Sequence, residues 1–269
     1  MVVAPNGCRI NSPLLSVPKK DDQTGLWSKT RVCLDVRKLN SYLLEDDKFE
    51  IPRIPDMLAT LAGGKIFGEI DLSDAYGQFR VSPESQQYTA FSWDKQQYVF
   101  VGAPFGIKHL PSLFQRYISN LFYDMPFVFC YIDNICFAST SWEEHAQHAK
   151  AIIDRLNSVN LRAKPTSVNF GQYQIKLLGH VITPYGVGMD PMKQKEMLEW
   201  PLPTLGSGIA SFLGLGTFLR DHIRHYAELT APLEKIKNTT TPIEWTPLLT
   251  PGNSLVDTIS EDAFSFVFA

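Results

Sequence analysis

Apolar residues fall in short runs along most of this chain, with the length and texture of β-strands, and in several stretches they recur instead at helical spacing. The runs "PLLSV" and "RVCLDV" are extended in character, and the turn-rich "KKDDQTG" lies between them. "IPRIPDMLATLAGG" predicts a short helix that begins near Pro55, where a missing N–H costs nothing, and closes at Gly63 and Gly64. "KIFGEIDL" is apolar and β-like and leads into the turn or helix start "SDAYGQ". "YTAFSWDKQQYVFVGAPFGI" predicts two strands around a polar turn at residues 94–96.

The clearest helix is "LPSLFQRYISNLF", in which Leu113, Phe114, Tyr117, Ile118 and Leu121 make one buried face. An apolar hairpin, "FVFCYIDNICFA", follows it. "SWEEHAQHAKAIIDRLNSVNL" opens with Ser141 and Glu144 in capping-box spacing and would bury Ala149, Ile152, Ile153 and Leu156. "IKLLGHVIT" reads as a strand pair or tight hairpin. "DPMKQKEMLEW" is a helix with Asp190 as N-cap and Pro191 at its first position. "SGIASFLGLGTFLRDHIRHYAEL" supplies one or two more helices, and from about residue 241 the pattern thins into Thr- and Pro-rich sequence. Hairpins precede helices and no short repeat is present, so the class is α+β or mixed α/β and not a doubly wound parallel sheet.

With 269 residues and 44% hydrophobic content, the chain can fill a core. A net charge of −3 argues against a uniformly basic nucleic-acid binder but leaves room for a local basic track. Cys8, Cys33, Cys130 and Cys136 have no paired spacing, so neither a disulfide framework nor a zinc site is expected. The start "MVVAPNGCRI" lacks a signal-peptide pattern and no apolar run approaches a membrane span. The expectation is an intracellular protein of cytoplasm or nucleus, away from the membrane.

Two places share an apolar β-run that ends in Asp: "IFGEIDLSDAY", with Asp71 and Asp74, and "VFCYIDNI", with Asp133. A carboxylate among apolar strand residues is costly without a charged partner. Adjacent strands would bring Asp71 and Asp133 together and favour a cation between them; Mg²⁺ takes such oxygen ligands together with substrate phosphates. The same residues also suit a helix cap and a turn.

Seven segments then occur in order: "RVCLDVRKLN", "DLSDAY", "YTAF", "APFGI", "PSLFQR", "YIDN" and "LLGHVIT". Together, from Asn11 to Trp245, they resemble the reverse transcriptase domain of gypsy-type LTR retrotransposons and, more distantly, of retroviruses. The resemblance implies an α+β right-hand polymerase, with fingers at 1–45 and 80–109, palm at 46–79 and 110–182, and thumb at 183–240. Residues 241–269 would be a truncated linker toward a connection and RNase H region that, like integrase, belongs to a full-length element and is absent here. The implied reaction is two-metal nucleotidyl transfer from a dNTP to a primer 3′-OH on an RNA or DNA template, with two Mg²⁺ ions, Mn²⁺ being an alternative.

Carried over by motif, Asp71 and Asp133 are the metal-binding carboxylates. Asp74 and Ala75 lie beside the triphosphate, and Tyr76 crowds the sugar 2′ position against ribose. Arg31 meets triphosphate oxygens, Lys19 or Lys20 supplies a fingertip phosphate contact, and Phe105 lines the nucleotide pocket. Lys164 could protonate the departing pyrophosphate. Gly179 and His180 match the hairpin that grips the primer, and Gln115 and Arg116 lie toward the template. The family reads Tyr-x-Asp-Asp where this chain has Tyr131, Ile132, Asp133 and Asn134. Asn keeps a carbonyl oxygen but loses a charge, which implies weaker metal binding and an impaired enzyme. The alternative is an inactive, domesticated or degenerate polymerase fold that only binds nucleic acid. The chain also departs from the family at Val36, Gly77, Tyr88 and Ala103. His145 and His148 are expected on a solvated helix face, Cys130 and Cys136 as small core hydrophobes, and Gly214–Gly216 as a packing feature of a helix. Lys193, Lys195, Arg220 and Arg224 suit either duplex phosphates or a solvated face.

Overall fold

The computed structural model describes residues 1–4, 7–19, 27, 29–44 and 49–244. Its first elements are β1 (Val2–Val3), β2 (Leu14–Lys19), β3 (Lys29–Leu34), α1 (Arg37–Asn40), α2 (Ile54–Leu61) and β4 (Ile66–Leu72). There follow β5 (Phe91–Trp93), β6 (Gln96–Val99), α3 (Leu110–Leu121), β7 (Val128–Tyr131), β8 (Asn134–Ser139), α4 (Trp142–Ser158) and β9 (Ala163–Gln172). The last are β10 (Ile175–Leu177), β11 (His180–Thr183), β12 (Gly186–Met189), α5 (Pro191–Leu198), α6 (Gly206–Leu219) and α7 (Tyr226–Ile236). Contacts divide them into two units. One holds Met1–Arg53, Gly68–Phe137 and Ala146–Phe170; the other holds Ile54–Phe67, Ala138–His145 and the described residues from Gly171 onward.

In the first unit a four-stranded sheet runs in the order β7-β8-β4-β9. One face is apolar: Ile70, Leu72, Ile135 and Phe137 pack against Phe114 and Ile118 of α3 and Ala149, Ile152 and Leu156 of α4. Strand alternation then sends Glu69 and Asp71 of β4 to the opposite face. Arg155 of α4 donates to Leu121 O and, at 2.9 Å, to both oxygens of Asp124, which ties the end of α3 to α4. A β2–β3 hairpin and a second sheet, β1-β6-β5, complete the unit. In that sheet, Gln97 clips the N-terminal segment: it accepts from Cys8 N–H at 2.6 Å and donates to Cys8 O and Ile10 O at 3.2 Å.

The second unit carries the sheet β10-β11-β12 and a core of Met197, Ile209, Phe212, Leu213, Leu219, Ile223 and Leu233. Asp190 caps α5 as expected, accepting from Met192 N–H and Lys176 Nζ, both at 3.1 Å.

The expected strands and helices are present, but several faces differ. On α3 the buried stripe is Leu110, Phe114, Gln115 and Ile118, while Leu113 and Tyr117 are exposed. The apolar arc of that helix is wider than the buried stripe, so periodicity alone could not choose its edge. Ile153 of α4 is exposed for the same reason, whereas Ala149, Ile152 and Leu156 are buried. The solvated face expected for His145 and His148 is not observed. His145 is fully buried, 3.0 Å from Ser139 Oγ, and its Nε2 accepts from Gly171 N–H; His148 stacks on Phe127 with centroids 3.5 Å apart. The Glu144 carboxylate accepts from Thr140 N–H and Oγ, and Ser141 Oγ accepts from Glu144 N–H. Strand β9, "AKPTSVNFGQ", has no apolar signature because it lies at a sheet edge, where most of its side chains are at least partly exposed. All four cysteines are free thiols, and Cys130 and Cys136 are buried. Among the described residues no helix is long and apolar enough to cross a membrane.

Two outcomes follow from this packing. A Cβ on Gly68 would lie 2.2 Å from the Phe137 ring, so Gly68→Ala should destabilise the first unit by roughly 1–3 kcal/mol in urea unfolding. Burial pushes the Cys130 and Cys136 thiols well above their ordinary range. A thiol-reactive dye should therefore titrate only Cys8 and Cys33 quickly in the native protein, and all four thiols in guanidinium.

Candidate active site

The β7–β8 hairpin closes through a two-residue turn, with Tyr131 paired to Asn134 and Ile132 and Asp133 between them. Ile132 has φ of 52°, a left-handed conformation that a β-branched side chain resists. A buried amide holds the turn. Gln115 of α3 accepts from Ile132 N–H at 2.7 Å and donates to Cys130 O at 2.9 Å and Ser119 Oγ at 3.0 Å. The Asp133 carbonyl accepts from Leu72 N–H at 2.9 Å, which sets the turn beside the end of β4. Asp71 and Asp133 thereby reach the wall of one cavity.

That cavity, of about 600 Å³, is lined by Asp71, Asp74, Ala75, Tyr76, Phe105, Asp133 and Lys164, together with Val32, Cys33 and Leu34 of β3. After β4 the chain turns sharply: Asp74 has φ of 45° and residues 75–78 form a 3-10 turn. Gln78 ties this turn to the start of β9, donating to Ser73 O and Arg162 O and accepting from Arg162 N–H at 2.7 Å. A Cβ on Gly77 would lie 2.1 Å from Asp74 Oδ2, and one on Gly102 would lie 2.0 Å from Gly77 O. The tight approach of these backbones is what brings Phe105 to Tyr76, edge to face with centroids 5.4 Å apart. Burial, with the nearby Asp133 charge, raises the Tyr76 phenol above its ordinary range, so the ring stays neutral at physiological pH.

A second cavity of about 470 Å³ shares Asp71, Asp133 and Lys164 and adds Glu69, Asn134, Thr166, Ser167 and Asn169. Lys164 Nζ stands 4.0 Å from Asp71 Oδ2. Glu69 accepts from Asn169 Nδ2 at 3.1 Å. Burial raises its pKa against that hydrogen bond, and the Asp71 charge raises it further. The Oδ1 of Asn134 is buried and has no hydrogen-bond partner among the described residues. Two carboxylates and an unsatisfied carbonyl oxygen line this cavity, a set of hard oxygen donors that fits a divalent cation.

The structure thus brings together Asp71, Asp74, Ala75, Tyr76, Phe105, Asp133, Asn134 and Lys164. Val32, next to Arg31 in β3, lines the same cavity, but the Arg31 side chain and all of Lys20 lie outside the described residues, as does the tail from 245 onward. Gln115 does not present itself to a template: it is fully buried, because its amide is occupied with the hairpin backbone. Arg116 is exposed and stands over the Phe49 ring at 5.6 Å. In the second unit, Gly179 lies in the β10–β11 turn with φ of 75°, but the His180 ring is buried with its Nδ1 3.1 Å from His222 Nε2. The His180 side chain is thus turned into the unit and not, as the motif had implied, toward a primer.

Sequence reasoning did not single out Glu69, Gln78 or Asn169. Glu69 is legible in principle, since positions i and i+2 of a strand share a face and Asp71 carries the motif. Asn169 sits on the strand that lacked an apolar signature. Replacing Gln115 by Leu strands a buried carbonyl and a partly buried N–H. It should cost roughly 1–3 kcal/mol in chemical denaturation and lower divalent-cation affinity more than an exposed change such as Tyr123→Ala.

A family model described as reverse transcriptase (RNA-dependent DNA polymerase) matches residues 17–182. The Drosophila melanogaster Pol polyprotein of transposon 297 is 34% identical over 87% of this chain, and that of transposon gypsy 29% over 87%. The chain spans only 22% and 23% of those two proteins. Among solved structures, a foamy viral protease-reverse transcriptase in complex with double-stranded DNA is 25% identical, with a TM-score of 0.86 over 97% of this chain and 45% of its own. The same enzyme with an RNA/DNA hybrid gives 0.81 at 24% identity, over 98% of this chain and 35% of its own. The α+β architecture is that of a right-hand polymerase, and the chain belongs to the reverse transcriptase family.

Proposed function

We propose that this chain is the polymerase part of a retrotransposon Pol polyprotein, extending a primer 3′-OH with dNTPs on an RNA or DNA template, at a rate reduced by Asn134. The observation that carries the reading is the convergence of Asp71, Asp133, Tyr76 and Phe105 on one cavity. In this reading Asp71 and Asp133, with the Asn134 carbonyl, hold the divalent cations, Mg²⁺ first and Mn²⁺ in its place. When bound, these cations activate the attacking hydroxyl and neutralise the triphosphate. Tyr76, backed by Phe105, fills the space beneath the sugar so that a 2′-hydroxyl collides with the ring. The Asp74–Ala75 backbone and Arg31 orient the triphosphate. Lys164 is near enough to Asp71 to reach the leaving pyrophosphate and give it a proton. The foamy viral complexes support a primer–template duplex as the partner.

A second reading, a polymerase fold that binds nucleic acid without extending it, is favoured by Asn134 alone. Primer extension on an RNA template separates the two. The unmodified protein should extend slowly in Mg²⁺ and faster in Mn²⁺. Asn134→Asp should gain roughly 10- to 100-fold in Mg²⁺, and Asp71→Asn or Asp133→Asn should abolish extension. Fast extension by the unmodified protein in Mg²⁺ would refute the impairment. Silence of both the unmodified protein and Asn134→Asp, with duplex affinity that falls with salt, would establish the binding-only reading.

A further inference from the structure

We propose that Glu69 is a positioning residue that restores, at the cation site formed by Asp71 and Asp133, the negative charge missing at Asn134. The inference rests on the metal-dependent reading above and goes beyond it by assigning a residue outside the two motifs. Glu69 precedes Asp71 by two positions on β4, so both side chains leave the same face of the sheet, about 7 Å apart along the strand. Both line the cavity that also holds Asp133, Asn134 and Lys164. Asn169 holds the Glu69 carboxylate there through a 3.1 Å hydrogen bond.

The charges decide what Glu69 does. Around this cavity stand three carboxylates, one ammonium and the neutral amide of Asn134, whose Oδ1 is buried without a hydrogen-bond partner among the described residues. A half-buried carboxylate beside another carboxylate is unfavourable for the fold by itself, and a Gln would satisfy Asn169 equally well. The placement becomes favourable when a cation occupies the site, since charges that line one cavity in a partly buried setting are weakly screened. Among the described residues no three acidic, His or Cys side chains close around one point. Glu69 therefore acts through the field and not as a third direct ligand.

The test is Mn²⁺ binding by the full chain, followed by electron paramagnetic resonance of the free ion. The proteins compared are the unmodified chain, Glu69→Gln, Glu69→Asp, Asn134→Asp and the double variant Glu69→Gln/Asn134→Asp, each checked for native circular dichroism. Glu69→Gln should weaken Mn²⁺ binding about tenfold in the unmodified background and by less than about threefold beside Asn134→Asp. Glu69→Asp keeps the charge and should stay within about threefold of the unmodified chain. Equal losses in both backgrounds, no loss in either, or a Glu69→Asp loss as large as that of Glu69→Gln would overturn the inference while leaving the metal-dependent reading intact. Failure of every protein, Asn134→Asp included, to bind Mn²⁺ would overturn both.

Discussion

The geometry of the site depends on one buried amide. Without Gln115, the turn at Ile132 and Asp133 would keep a left-handed β-branched residue, which costs on the order of 1–3 kcal/mol, and would lose its brace to α3. Gln115 satisfies one N–H and one carbonyl across the mouth of that hairpin, and α3 is in turn anchored by Phe114 and Ile118 in the core. The aim of Asp133 is thus a consequence of helix packing on the far side of the sheet. The hydrogen bond from Leu72 N–H to Asp133 O, with the pairing of β8 and β4, passes that placement to Asp71.

Around the carboxylates the fold accepts electrostatic tension. Asp71 and Asp133 share a cavity wall, and Glu69 adds a third negative group on the same face. Lys164 relieves part of it at 4.0 Å from Asp71, and the amide at Asn134 lowers the total further. A site of this kind is better matched to a bound cation than to its absence, because only a cation converts the mutual repulsion into attraction. The aromatic side is different in character. Tyr76 and Phe105 make a largely apolar wall beside the close Gly77–Gly102 backbone approach.

Much of this is legible in the amino-acid sequence. Element types followed from period and punctuation: Asp190 and Pro191 marked the start of α5, and the apolar runs around Asp133 marked a hairpin. The site motifs were legible as residue types at the ends of apolar strands. What stayed hidden had physical causes. The apolar arc of α3 is wider than the stripe it buries, so its period points to Leu113 and Tyr117 as core and does not reveal that Leu110 and Gln115 are buried instead. His145 reads as solvated because the groups that satisfy it, Ser139 and Gly171, lie off its own helix, and helical spacing says nothing of them. Strand β9 lacked a signal because an edge strand need not be apolar.

The sequence by itself determined the chemistry available: two strand-end carboxylates, an amide where a third was expected, an aromatic after a tight turn, and a family pattern in order. Only the tertiary structure decided which of those groups meet. Asp71 and Asp133 are far apart in the chain and come together because pairing of β4 with β8 sets their strand ends side by side. Glu69 and Asn169 join them because strand alternation and an edge strand without sequence signature place them on the same open face. Gln115 changed role, from a side chain expected at the template to the internal brace of the hairpin, because burial and hydrogen bonding are properties of neighbours that a linear pattern does not contain.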